Sequence, residues 1–152
     1  MTDIVPPAVR SRMMSGIKGK NSTPEMLIRR LLFAAGYRFR LHRRDLPGTP
    51  DVVMPSRKIA IFVHGCFWHA HQECKYAKVP ATRTDFWVEK LQSNAARDQQ
   101  AVEKLGAMGW RVLVVWECAT RDQDVARTLS GKLQDWIASD AQFGEISSRL
   151  TR

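Results

Sequence analysis

The sequence predicts an α/β domain, a single mixed β-sheet with helices packed on both faces. Three observations predict it. Two uninterrupted apolar runs, Ile59–Val63 and Val112–Val115, have the length and β-branched content of strands buried on both faces. A segment of helical period, about residues 84–108, separates them, so the two strands can lie parallel through a right-handed crossover. Shorter strand-like segments precede the first run, and a second helical segment follows the second.

Residues 1–21 read as a basic arm, with Pro6, Pro7, Gly16 and Gly19 and little apolar periodicity. A helix is expected to start at Ser22 or Thr23. Pro24 suits the first turn, and Ser22 and Glu25 have capping-box spacing. Leu27, Ile28, Leu31, Leu32 and Ala35 form its apolar face, and Gly36 its stop. Tyr37, Phe39 and Leu41 then alternate with Arg38, Arg40 and His42, the pattern of a half-exposed strand with a basic outer face. Leu46–Pro50 is a turn, Asp51–Met54 a short strand, Pro55–Lys58 another turn, and Ile59–Val63 a central strand. Residues 64–83 have no clean period. In the long helix Trp87, Leu91, Asp98, Ala101, Val102 and Leu105 fit helical spacing, and Gly109 ends it. Arg111–Trp116 is the second buried strand. Val125, Leu129, Leu133, Trp136 and Ile137 mark a last helix, and the final dozen residues are expected to fray. The organisation predicted is thus an arm (1–21), one domain (22–140) and a tail (141–152).

Composition narrows the function. An apolar fraction of 44% with five tryptophans excludes a disordered chain. No apolar run reaches the ~18–20 residues of a membrane span, and no apolar stretch follows the basic N-terminus, which excludes a secretory signal. Twenty-four Lys and Arg against 15 Asp and Glu give a net charge of +9, which favours a polyanionic partner, nucleic acid first, over a merely soluble basic surface. Three cysteines fit a disulfide framework poorly, so reduced thiols in the cytoplasm, used for metal or packing, are expected.

The chemistry concentrates in residues 64–74, which hold three of the four histidines and two of the three cysteines. Cys118 lies just past the second buried strand and can reach the loop that leaves its neighbour. Cys66, His71, Cys74 and Cys118 would then supply four tetrahedral ligands for a structural Zn²⁺, with His69 and Glu73 as rival ligands. Buried cysteines beside hydrogen-bonded histidines are the plain alternative. Asp51 opens a strand after the Pro-Gly-Thr-Pro turn, where its carboxylate could hold Mg²⁺ with the backbone carbonyl of Val63; a simple Asx turn would also place an Asp there. His69 is free for proton transfer if His71 takes the zinc, His64 is a second candidate, and Glu25 could hold a metal-bound water or only cap its helix. Phe67 and Trp68 sit in a polar loop, where they could enter a DNA stack or cover the zinc. Met14 and Trp87 are further wedge candidates, although the helical spacing of Trp87 suits core packing as well.

Four stretches carry a family resemblance. They are Leu46-Pro-Gly-Thr-Pro-Asp51, His64-Gly-Cys-Phe-Trp-His69, Val79-Pro-Ala-Thr-Arg-Thr-Asp-Phe-Trp87 and Gly109-Trp-Arg-Val-Leu-Val-Val-Trp-Glu-Cys118. Together, over about residues 10–121, they resemble the very-short-patch-repair (Vsr-type) endonucleases of bacteria. The resemblance implies a restriction-endonuclease-like fold and Mg²⁺-dependent nicking 5′ of the T in T·G mismatches left by deamination of 5-methylcytosine. It implies Asp51 and the Val63 carbonyl as Mg²⁺ ligands, His69 as general base, and Glu25 and His64 in support. It implies Cys66, His71, Cys74 and Cys118 as the zinc set and Phe67, Trp68 and Trp87 as the residues that open the helix, and the basic arm ahead of Glu25 fits the family; Arg10, Arg12 and Met14 of that arm are expected to contact DNA. The expected partners are double-stranded DNA and, functionally, a cytosine-5 DNA methyltransferase. A monomer associated with the bacterial nucleoid, with no membrane contact, is expected. A related restriction-type nuclease and a non-catalytic zinc-containing DNA-binding module are the alternatives.

Overall fold

The computed structural model describes residues 22–148, so the expected arm contacts Arg10, Arg12 and Met14 lie outside the described residues. Helix α1 (Thr23–Ala34) is followed by strands β1 (Arg40–Leu41), β2 (Val52–Met54) and β3 (Ile59–His64). Then come helix α2 (Thr84–Ala107), strand β4 (Arg111–Trp116), helices α3 (Cys118–Arg121) and α4 (Gln123–Ala138), and strand β5 (Phe143–Ile146). The strands form one sheet in the order β1-β2-β3-β4-β5, antiparallel from β1 to β3 and parallel from β3 to β5. This is the mixed α/β sheet expected, and β3 and β4 pair in parallel with α2 as the crossover.

The period of two along the central strands divides the core. Ile59, Ile61, Leu113 and Val115 pack with Ile28 and Leu32 of α1 and with Leu129, Leu133 and Ile137 of α4. Ala60, Phe62, Val112, Val114 and Trp116 face the other way, onto Ala101 and Leu105 of α2. Both faces of β3 and β4 are therefore covered, which is why these strands read as continuous apolar runs.

Three expectations are corrected. The strand predicted over 37–42 is reduced to Arg40–Leu41, because Tyr37 and Phe39 pack against the α1/α4 side of the core without entering the ladder. The expected frayed tail contains β5, which pairs with β4 from Val112↔Phe143 to Val115↔Ile146. The sequence Phe-Gly-Glu-Ile hides this strand, since Gly144 weakens the pattern. Gly144 is needed there, because a Cβ on it would lie 2.2 Å from Nε1 of Trp136 in α4. Finally, Ser22 Oγ accepts the Glu25 N–H at 3.4 Å, as a cap should, but the Glu25 carboxylate is engaged elsewhere.

The Leu46–Pro50 turn sets the entry to β2. Gly48 has φ +75°, and a Cβ there would stand 2.6 Å from Cβ of Ala101 and 3.1 Å from the Phe62 ring. Contact between turn, sheet and α2 is thus close enough to require glycine. It delivers Asp51 to the edge of the sheet where β3 ends.

Candidate active site and metal centre

Asp51 precedes β2 and stands beside the end of β3, where its Oδ2 accepts the Val63 N–H at 2.7 Å. A strand residue's N–H and C=O leave on the same side, so the Val63 carbonyl also faces this edge. Burial pushes the Asp51 carboxyl up to about 7, and the nearby Glu25 carboxylate adds to the rise. The Val63 N–H, His69 and Arg29 oppose it. A carboxylate so poorly solvated has much to gain from a bound dication.

Glu25, in the first turn of α1, is buried at 2% exposure. Its Oε2 accepts from Arg29, one turn along the same helix, and lies 2.5 Å from His42 Nε2. His42 was expected on the exposed basic face of the first strand. Instead a left-handed backbone (φ +47°) follows β1, and its ring faces Glu25. Glu25, His42 and Asp51 offer ligand atoms within 4.8 Å of one another, a geometry that could hold a metal ion.

The second group is His64, His69 and Asp98. His69 Nδ1 lies 2.5 Å from Asp98 Oδ2, and His64 Nε2 lies 4.0 Å from Asp98 Oδ1. The two imidazoles are stacked, with centroids 3.9 Å apart and planes 5° from parallel. Burial, with the adjacent His69, presses His64 down to about 3, so it stays neutral at physiological pH. Sequence reasoning placed Asp98 only on a helix face and assigned it no function. The signal was present: Asp98 stands in the apolar stripe between Leu91 and Leu105, where the period calls for an apolar side chain.

The cysteines meet as expected. Cys66 and Cys118 are fully buried, and with Cys74 and His71 they place four ligand atoms within 4.8 Å. His71, and neither His69 nor Glu73, is the residue that joins them. The loop achieves this by coiling tightly: His69 N–H donates to Gly65 O and His71 N–H to Cys66 O, and Ala70 and Glu73 take left-handed backbones. The Cys118 N–H donates to Cys66 Sγ at 3.3 Å, and Cys118 Sγ accepts from the Ser148 N–H at 3.3 Å and lies 3.6 Å from His71 Nδ1. The hydrogen bond between the two thiols pulls Cys118 down and pushes Cys66 up. The His71 ring lies flat on Trp116, with centroids 4.0 Å apart. Three sulfurs and one imidazole are a soft, four-coordinate donor set that suits Zn²⁺.

Phe67, Trp68 and Trp87 form one half-buried aromatic group, with centroids 5.0–6.0 Å apart. Cys66 and Cys118 belong to the core cluster that also contains Phe62, Trp110 and Trp116, and Cys74 and Tyr76 pack against it. Trp87 joins Phe67 and Trp68, not the interior of α2. A cleft of about 540 Å³ is lined by Glu25, His42 and Asp51 together with Trp68, His69 and Asp98.

Comparison with known proteins gives a consistent result. Residues 2–76 match the family described as DNA mismatch endonuclease Vsr. The type II nicking enzyme V.XorIIP of Xanthomonas oryzae pv. oryzae is 52% identical over 122 residues, which is 80% of this chain and 89% of that protein. The DNA mismatch endonuclease Vsr of Escherichia coli strain K12 is 40% identical over 151 residues, covering 98% of this chain and 96% of that protein. The type II nicking enzyme V.NmeAIP of Neisseria meningitidis is 38% identical over 133 residues, 88% and 94% of the two chains.

Proposed function

From a chain that belongs to the family of the DNA mismatch endonuclease Vsr, and is therefore a DNA-cutting enzyme, we infer a specific substrate. That substrate is duplex DNA carrying the T·G mispair left when 5-methylcytosine deaminates, nicked on the 5′ side of the mismatched T. One observation carries the reading: a carboxylate group that can hold a metal, a His–Asp pair and an aromatic residue line the same cleft. A phosphodiester placed there would meet cation, base and wedge together. The enzyme would then act on the DNA of a cell that also contains a cytosine-5 methyltransferase, and as a monomer. Among the described residues no helix is long and apolar enough to cross a membrane.

The contacts support a division of roles. Asp51 and the Val63 carbonyl would hold Mg²⁺, with Glu25 behind them. When bound, Mg²⁺ supplies Lewis-acid stabilisation of charge at the phosphate and the leaving oxygen. Asp98 accepts the Nδ1 proton of His69 and so fixes the tautomer, leaving the Nε2 lone pair to take a proton from the attacking water. Asp98 then steadies the imidazolium, as the carboxylate of a catalytic triad does. Neutral His64, stacked on His69, keeps that ring in its plane without competing for the proton. Zinc on Cys66, His71, Cys74 and Cys118 would pin to the sheet the loop that carries both base and wedge.

The test is a set of end-labelled duplexes, T·G and matched, incubated with Mg²⁺ and separated on a denaturing gel. Nicking confined to the 5′ side of T in T·G is expected. Equal cleavage of matched duplex would point to a restriction-type nuclease, and no cleavage to a binding module; either result overturns the reading.

The aromatic group gives a second prediction. Trp68→Ala should weaken binding to a T·G duplex by about 1–3 kcal/mol, the scale of one base–aromatic stack, and leave matched-duplex binding nearly unchanged. Trp68 is half-buried and lines the cleft, so the melting temperature should hold. A lowered melting temperature with the T·G preference intact would show that Trp68 is structural.

A further inference from the structure

We propose that His42 is a positioning residue that fixes Glu25 and Asp51 relative to each other and so sets the centre's affinity for its divalent cation; this rests on the Mg²⁺ reading above. His42 touches both carboxylate-bearing residues by different routes. Its backbone N–H donates to the Asp51 carbonyl at 3.2 Å, extending the β1–β2 ladder by one residue, while its Nε2 lies 2.5 Å from Glu25 Oε2. Between these contacts the backbone takes φ +47°, which side chains other than glycine seldom adopt and which persists where neighbouring contacts over-determine it.

Arg29 cannot do the same work. It pairs with Glu25 across one turn of α1, and its side-chain contact toward the sheet is with His42 Nε2 itself, at 3.3 Å, so any tie it makes to the sheet runs through His42. His42 comes from the end of β1, and its ring joins the helix start to the strand edge that presents Asp51. A hydrogen-bonded partner behind a metal-binding carboxylate fixes its direction, and its loss typically weakens metal binding by 10–100-fold.

The test uses the full chain with Mn²⁺ as the binding probe, titrated by electron paramagnetic resonance into wild type, His42→Ala, His42→Gln and Asp51→Asn. His42→Ala should raise the Mn²⁺ Kd by roughly 10–100-fold. Saturating Mg²⁺ should restore most of its nicking rate, and its melting temperature and affinity for a T·G duplex should match wild type. His42→Gln keeps an N–H donor and should recover most of the affinity. A Kd for His42→Ala within about twofold of wild type, far short of the loss expected for such a partner, overturns the proposal if Asp51→Asn is weakened. So does a loss that accompanies a fall in melting temperature or is shared equally by His42→Gln. Unchanged Mn²⁺ binding in Asp51→Asn as well would instead overturn the metal reading beneath it.

Discussion

Replacing Asp51 with Asn should lower the nicking rate on a T·G duplex on the order of 10³-fold while leaving affinity for that duplex within a small factor. Asn keeps the shape of the side chain and an oxygen to accept the Val63 N–H, so the sheet edge should stay in place. What is lost is the charge that would hold the cation. Stability in Mg²⁺-free buffer offers an independent readout. The folded-state carboxyl is raised to about 7, well above its ordinary value near 4, so the folded protein binds this proton more tightly than the unfolded chain does. Wild type therefore loses stability as pH rises from about 4 to about 7, and the loss is complete above that window. Asn carries no such penalty. The variant's melting temperature should exceed that of wild type by a margin that grows with pH across the window, then levels off. A margin independent of pH, or nicking at near-normal rate, would count against Asp51 as the cation-binding carboxylate.

Cys118→Ser should abolish tight zinc binding and destabilise the whole fold. The residue is fully buried at the junction of β4 and α3, and three parts of the chain meet on it: Cys66 from the loop, His71 from its coil and Ser148 from beyond β5. A hydroxyl is a hard, short donor that reaches neither the metal nor these partners as a thiolate does. Because metal binding in such sites is largely folding free energy, a loss of about 3 kcal/mol or more is expected. That would lower the melting temperature by roughly 10 °C for a chain of this size. Purified wild type should contain one zinc per chain and few reactive thiols, and the variant little zinc and exposed Cys66 and Cys74. Equal metal content and equal melting temperatures in the two proteins would rule the centre out.

The parts of this molecule that could be read from the sequence are those in which neighbours along the chain decide the outcome. Ser22 and Pro24 start α1, and apolar period marks α2 and α4. The unbroken runs at 59–63 and 112–115 announce strands covered on both faces, and the crowding of His and Cys in 64–74 announces a candidate metal centre. The parts not read depend on what a segment packs against. Strand β5 is recognisable only beside β4, with Trp136 filling the space over Gly144. His42 looked like one more polar residue of an alternating strand until its backbone turned its ring toward Glu25. Asp98 had a local mark, an acid in an apolar stripe, but its partner His69 lies 29 residues away and arrives only when the loop folds over α2.

The two ends of the sheet bear on how this protein behaves when crowded. An unpaired strand edge is a template on which a second copy can add its own strand, and long, flat, apolar edges invite aggregation. Here one rim is β1, two residues long and beginning with Arg40, which is exposed. The other is β5, four residues carrying exposed Glu145 and a glycine capped by an indole. The long apolar strands β3 and β4 are each paired on both sides. A basic chain concentrated along DNA is brought close to its own copies, and among the described residues both rims of this sheet are short and carry a charged side chain, which disfavours extension by a second copy.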